Sequence, residues 1–153
     1  MSLSKAVDVM QGTAIFRKLD AKRLRVVAMM GESLRYRVGE RLFEAGEEGD
    51  SAFVIISGEV GVVIPVDGSE QTVAVLGQGE IFGEIAALTQ QQRTSAIVAR
   101  SELSVLRLDR PTILNLMREF PDIALELIRV MADRLRVTSL ELAELRSRTA
   151  GEG

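Results

Sequence analysis

Residues 51–66 read SAFVIISGEVGVVIPV. Two runs of β-branched and aromatic residues stand on either side of Gly58, and each is the length of a strand. Pro65 suits a strand end or an edge, because it has no N–H to give to a ladder. Asp67-Gly68 follows as a hairpin turn signal between VVIPV and QTVAVL. Upstream, SLRYRV puts Leu34, Tyr36 and Val38 on one face, Gly39-Glu40 makes a turn, and ERLFEAGEEGD ends in a glycine-rich turn at 46–50. Downstream come SAIVA and LSVLRLD. From about residue 33 to 108 the chain is therefore a series of short strands with turns every 8–12 residues or so, the pattern of a sandwich, roll or barrel.

Helices flank this region. A short helix is expected around residues 4–11, stopping at Gly12, and a second in AKRLRVVAMM. Asp20 caps the second, Leu24, Val27 and Ala28 recur at helical spacing, and Gly31 ends it. The helical lead-in thus spans about 4–31. After the strands, Asp109 caps PTILNLMREF, with Pro111 tolerated in the first turn. Pro121 interrupts, and a long helix runs from about 122 to 148, so two C-terminal helices cover about 110–148. In the long helix Ile128, Met131, Leu135, Leu142 and Leu145 fall at three- and four-residue steps, with Thr138 in the remaining slot of a heptad seam. Such a seam packs either on its own domain or on a partner helix, most simply a second copy; the residue types leave both open.

At 153 residues and 46% hydrophobic, the chain is expected to fold as one domain over 1–153 with a sizeable core. A net charge of −3 gives no basic excess for nucleic acid. No basic-then-apolar leader and no long apolar run are present, so neither a secretory signal nor a membrane span is expected. The absence of cysteine removes disulfides and thiol catalysis and fits a cytoplasmic location. The absence of histidine removes the commonest metal ligand and general acid–base group, so no metal site, cofactor or enzymatic activity is expected.

One stretch asks for chemistry. Residues 79–96 read GEIFGEIAALTQQQRTSA. A helical turn beginning near Gly83 would present unpaired backbone N–H groups, at the positive end of the helix dipole, to an anion. Gly83 lets a ligand approach the backbone; Ile85, Ala86 and Ala87 add N–H groups with little competing side chain. Arg93 adds a fork of donors for phosphate oxygens, and Thr94 and Ser95 add hydroxyls. Glu84 repels a phosphate but accepts from a hydroxyl such as that of a ribose. The residues therefore describe either a site for a small molecule carrying both phosphate and hydroxyl, or a Glu84–Arg93 ion pair across a loop.

FGEIAALTQQQRTSA resembles the phosphate-binding cassette of cyclic nucleotide-binding domains, the family of catabolite activator protein and of the regulatory subunits of protein kinase A. Phe82, Gly83, Glu84, Ile85, Ala86, Leu88, Arg93 and Thr94 fit its pattern; Ala87 stands where leucine is frequent and Ser95 where alanine is usual. RVGERLFEAGEEGDSAFVIISGEVGVV and LGQGEIFGE extend the resemblance over roughly 14–135.

The resemblance implies a mainly β fold, a β-roll or jelly-roll barrel with N-terminal helices and two C-terminal helices, the last long. It implies cAMP or cGMP as ligand, Thr94 being compatible with either. Glu84 would accept the ribose 2′-hydroxyl, the N–H groups of Ile85, Ala86 and Ala87 would hold the cyclic phosphate, and Arg93 would neutralise it. Val62, Val75 and Leu76 would form the apolar wall, with ordinary core packing as the alternative. A residue of the last helix, with Met131 and Leu135 as candidates, would lie over the base as a lid, and Pro121 is a suitable hinge. The function implied is a regulatory sensor module acting on an unknown effector. The alternatives are a ligand-independent dimerisation scaffold and the sensor part of a longer transcription regulator. No recognition helix for DNA and no membrane contact is expected of this chain alone, and a homodimer through the last helix is the partner expected.

Overall fold

The computed structural model describes residues 2–152; Met1 and Gly153, the ends of the expected domain, lie outside the described residues. Eight strands form two four-stranded antiparallel sheets. They are β1 (Glu32–Tyr36), β2 (Arg41–Phe43), β3 (Ser51–Ser57), β4 (Val60–Val66), β5 (Ser69–Leu76), β6 (Ile81–Phe82), β7 (Ala96–Ala99) and β8 (Leu103–Asp109). One sheet runs β1-β8-β3-β6 and the other β2-β7-β4-β5, so the chain crosses repeatedly from sheet to sheet as a roll. Helices α1 (Leu3–Gln11) and α2 (Ala21–Met30) precede the roll, α3 (Glu84–Thr89) interrupts it, and α4 (Arg110–Glu119) and α5 (Pro121–Glu152) follow.

Alternation along β3 and β8 makes two cores from one sheet. Phe53, Ile55, Leu103 and Val105 point into the roll and join Phe43, Phe82 and Ile97. Ala52, Val54, Leu106 and Leu108 point out and are covered by Leu24 and Val27 of α2, Met10 of α1, Ile113 and Leu116 of α4, and Ile123 and Leu127 of α5. That is why SAFVIIS reads as an unbroken apolar run: a sheet buried on both faces needs no polar side.

The turn chemistry is consistent with the sequence. Asp67 and Gly68 both have positive φ, at 49° and 82°, as a type I′ hairpin demands. Gly58 has a φ of +95°, and a Cβ there would run into the carbonyl oxygen of Glu102. Pro65 sits inside β4, yet β4 pairs with β7 only over Val60–Val63, so at Pro65 the strand has a single neighbour and no ladder bond is lost. Asp20 accepts from the Arg23 N–H and Asp109 from the Thr112 N–H, the two expected caps.

The last helix exceeds expectation, at 32 residues from Pro121. Its first three turns are fixed by Ile123 and Leu127 in the outer core and by Glu126, which is 2% exposed. The Glu126 carboxylate takes Arg129 at 2.8 Å, Lys18 at 3.2 Å and Arg17 at 3.5 Å, tying α5 to the segment between α1 and α2. From Ala132 onward every described side chain of α5 is exposed, Leu135, Leu142 and Leu145 among them; of the heptad seam only Met131 packs against the roll's outer core.

Burial pushes the Glu126 carboxyl up, but Lys18, Arg129 and Arg17 outweigh it and leave it below its ordinary value. A lowered pKa stabilises the fold above the unfolded value, and that stabilisation is lost as pH falls through the folded one. Glu126→Gln is therefore expected to lower the melting temperature at neutral pH and to flatten its decline below about pH 4.3. Parallel thermal melts of the two proteins across the acid range measure this; an unchanged acid limb would refute the ion cluster's role.

Candidate ligand site

The cassette stretch folds around one buried cation. Arg93 is 7% exposed. One terminal nitrogen donates to the carbonyl oxygen of Gly83 and the other to that of Ser51, both at 2.8 Å. Its guanidinium carbon lies 4.0 Å from the centre of the Phe43 ring. Phe43 packs with Phe53 and Phe82, ring centres 5.1–6.1 Å apart, so the arginine rests on an aromatic floor. The backbone of Arg93 is pinned as well: its N–H donates to Glu47 and its carbonyl accepts from Gly46. Among the described residues no carboxylate pairs with it. Burial lowers its pKa, while the fields of Asp50, Glu47 and Glu84 raise it again; guanidinium remains charged at neutral pH regardless.

Gly83 has a φ of +78°, and a Cβ there would stand 2.6 Å from the Arg93 guanidinium. Only glycine fits, both for the left-handed turn and for the contact. Helix α3 starts at the next residue. Ala87 donates its N–H to Gly83 O at 3.2 Å, the first bond of the turn, so the N–H groups of Glu84, Ile85 and Ala86 are the free ones. Ala87 itself is fully buried against the outer core, which corrects its assignment as a phosphate donor.

Glu84 is 3% exposed and does not pair with Arg93. Its Oε1 accepts from Arg134 of α5 at 2.6 Å, and the second terminal nitrogen of Arg134 donates to Ile81 O at 2.9 Å. The loop ion pair left open by the residue types is thus not formed; each charged group has a different partner.

A cavity of about 240 Å³ opens between these groups. Gly83, Glu84, Ile85, Ala86, Arg93, Thr94 and Ser95 line it, with Val62 and Leu76 as apolar wall. Val75 is not brought there: it pairs with Gly61 on β4, while Ala74 pairs with the cavity-lining Val62, and Val75 is half exposed on the opposite face of β5. Neither lid candidate reaches the cavity. Met131 packs on the outer core and Leu135 faces solvent. The α5 residue lining the cavity is Arg134. The sequence reading did not single out Arg134, nor Phe43 or the loop residues Gln91 and Gln92, which also line it. Gly49 was missed too: a Cβ there would lie 2.6 Å from Ala86 Cβ and 2.8 Å from the Arg93 guanidinium carbon.

A buried arginine, three free N–H groups at a glycine turn and a buried glutamate thus face one small cavity. Residues 33–120 match the family model of the cyclic nucleotide-binding domain. The chain belongs to that family. It is 29% identical to a CRP-like cAMP-activated global transcriptional regulator of Mycobacterium tuberculosis, over 90% of this chain and 62% of that one. The crystal structure of Thermus thermophilus catabolite activator protein superposes with a TM-score of 0.82 at 31% identity, covering 87% of this chain and 63% of that one. A cGMP-dependent protein kinase of Caenorhabditis elegans is 34% identical over 70% of this chain, 14% of its own length. The chain spans less than two thirds of the curated regulators that it matches along most of its length. Among the described residues no helix is long and apolar enough to cross a membrane.

Gly49→Ala adds one methyl group where the arginine and α3 converge. It is expected to displace the Arg93 guanidinium and weaken cyclic nucleotide binding at least tenfold, a loss of about 1.4 kcal/mol, while far-ultraviolet circular dichroism stays unchanged. Full binding by a folded Gly49→Ala protein would show that Arg93 can be displaced without consequence.

Proposed function

We propose that this module senses cAMP, and that the buried, carboxylate-free Arg93 is the group that recognises its cyclic phosphate. A buried guanidinium satisfied by two carbonyl oxygens retains its full charge, and a phosphate compensates that charge where carbonyls do not. The free N–H groups of Glu84, Ile85 and Ala86 complete an anion cradle. Glu84 accepts the ribose hydroxyl, Val62 and Leu76 take the apolar faces of ribose and base, and Thr94 and Ser95 supply further hydroxyl contacts. The regulators named for cAMP align over 87–90% of this chain, the flanking helices included, and the cGMP-dependent kinase over 70%, and the reading follows the longer likeness to cAMP. The role proposed is regulatory, with no catalysis.

Arg134 gives the switch. It holds Glu84 Oε1 and Ile81 O from α5, so a ribose hydroxyl that donates to Glu84 competes with the helix for the same carboxylate. A ligand moves a helix only by binding one of its positions more tightly than the other. The Glu84 carboxylate is where that difference arises. Phe120, between α4 and α5, and Pro121, the first residue of α5, are the hinge about which α5 turns.

Beyond Met131, α5 projects for about 30 Å at 1.5 Å per residue. Leucines 135, 142 and 145 are 47–67% exposed along one seam. A solvated amphipathic helix of this kind draws most of its stability from a packed partner. A second copy, pairing α5 with α5, is the partner proposed.

Two measurements test these proposals. Calorimetry should show cAMP binding to the parent, with cGMP weaker, and Arg93→Ala should lose about 2–5 kcal/mol of binding free energy. No binding by the parent, or equal binding by the variant, would sink the sensor. The solution mass should be that of a dimer for the full chain and of a monomer when residues 136–153 are removed; a monomeric full chain would exclude pairing through α5.

A further inference from the structure

Residues 17–41 carry eight basic and three acidic side chains, a surplus of five in a chain whose net charge is −3. The ligand site uses none of them. Arg17 and Lys18 are committed to Glu126, Arg23 to Asp20, and Arg41 to Glu44 and Glu70. Lys22, Arg25, Arg35 and Arg37 are exposed and, among the described residues, join no salt bridge.

Arg35 lies on β1, which is an edge strand with β8 as its one strand neighbour. An edge leaves a row of N–H and C=O groups unpaired on its open side. Arg35 is opposite Ser104 of β8, and Ser104 is opposite Ser57 of β3. Cross-strand partners share a face, so these three form a polar row across the sheet, on the face away from the aromatic core. With Tyr36, Arg37 and Glu102 they line a cleft of about 520 Å³, separate from the nucleotide cavity. The helix that runs into β1 presents Lys22 and Arg25 beside Val26 and Met29, the last 72% exposed. Exposed methionine and valine beside unpaired cations make a surface with both apolar and positive character.

We infer that the open edge of β1, with Arg35 on the strand and Arg37 in the turn just past its end, docks an extended acidic segment of a partner protein. Main-chain pairing to the edge supplies affinity, and carboxylates on alternate residues meet the two arginines, which themselves stand two residues apart. A protein strand suits this surface better than a nucleic-acid backbone. Glu32, Glu40 and Glu102 stand among the arginines, the chain is acidic as a whole, and a duplex cannot use a strand edge. Glu40 is partly occupied, its Oε1 accepting from the Arg37 N–H; Glu102 opposes a carboxylate and so tunes the site downward.

The test is a nuclear magnetic resonance titration of the full chain with an extended peptide alternating glutamate and valine. A lysine–valine peptide and a short DNA duplex serve as comparisons. The acidic peptide should shift the amides of residues 32–37, 57 and 102–104, and the effect should fade with added salt. Arg35→Glu with Arg37→Glu should weaken it roughly tenfold, and Glu102→Gln should tighten it. Both variants should bind cyclic nucleotide as the parent does, which establishes that they are folded. The inference is overturned if the acidic peptide leaves β1 unshifted, if the double variant binds it equally, or if the duplex or the lysine–valine peptide occupies β1 as well as the acidic one.

Discussion

Arg93 holds the site together. Its two terminal nitrogens reach carbonyl oxygens of two separate elements, one at the glycine turn that starts α3 and one on the first residue of β3. An uncompensated charge in this position is costly, and the structure lowers that cost with two charge-assisted hydrogen bonds and an aromatic floor rather than with a carboxylate. The consequence is geometric. Gly83 and Gly49 must both be without a side chain, since a Cβ at either would collide with the guanidinium. The left-handed turn, the start of α3 and the packing of Phe43 on Phe53 and Phe82 follow from seating one arginine.

Glu84 is the second constraint, and it reaches further. A carboxylate 3% exposed needs a donor, and the donor comes from Arg134, fifty residues along the chain and on α5. The same arginine also binds Ile81 O, so α5 is fastened both to the strand before the cassette and to the first residue of α3. Two turns earlier Glu126 fastens α5 to the segment between α1 and α2. The two fastenings differ in kind. Glu126 is closed on by three cations at the outer core, whereas Arg134 is partly exposed and faces the cavity. Of the two, a molecule in the cavity can compete only for the second.

The elements that rest on local chemistry were legible in the sequence. Gly58 and Asp67-Gly68 mark turns that require positive φ, and Asp20 and Asp109 are caps three residues from the N–H they accept. The alternating and unbroken apolar runs marked a sandwich, roll or barrel, of which the resemblance chose the roll, and the cassette residues Gly83, Glu84, Ile85, Ala86, Arg93, Thr94 and Ser95 do line one cavity. What escaped depends on contacts distant in sequence. Arg134 is one of several arginines on a polar helix, and only the fold brings it to Glu84. Gly49 is one more glycine in a turn until Arg93 lies against it. Val75, named with Leu76 from the resemblance, was misplaced because successive residues of a strand face opposite sides, so only one of the two can join Val62 in the wall.

The exposed half of α5 connects these observations. Its leucines gain nothing from the roll, since among the described residues no apolar packing on the roll extends past Met131 and only the Arg134 guanidinium reaches back to it. Burying each would contribute about 1.5–3 kcal/mol, so the proposed pairing of two such helices would compete directly with any position of α5 that the cavity favours. Arg134 sits at that boundary, the third residue of the exposed half, and is bonded to the acceptor that the ribose hydroxyl is proposed to use. A change at the Glu84 carboxylate is therefore delivered first to the turn of α5 where packing on the roll ends and packing on a partner would begin. If ligand and a second copy act on α5 as proposed, their coupling needs no long relay, because the two would compete for the angle of one helix at one residue.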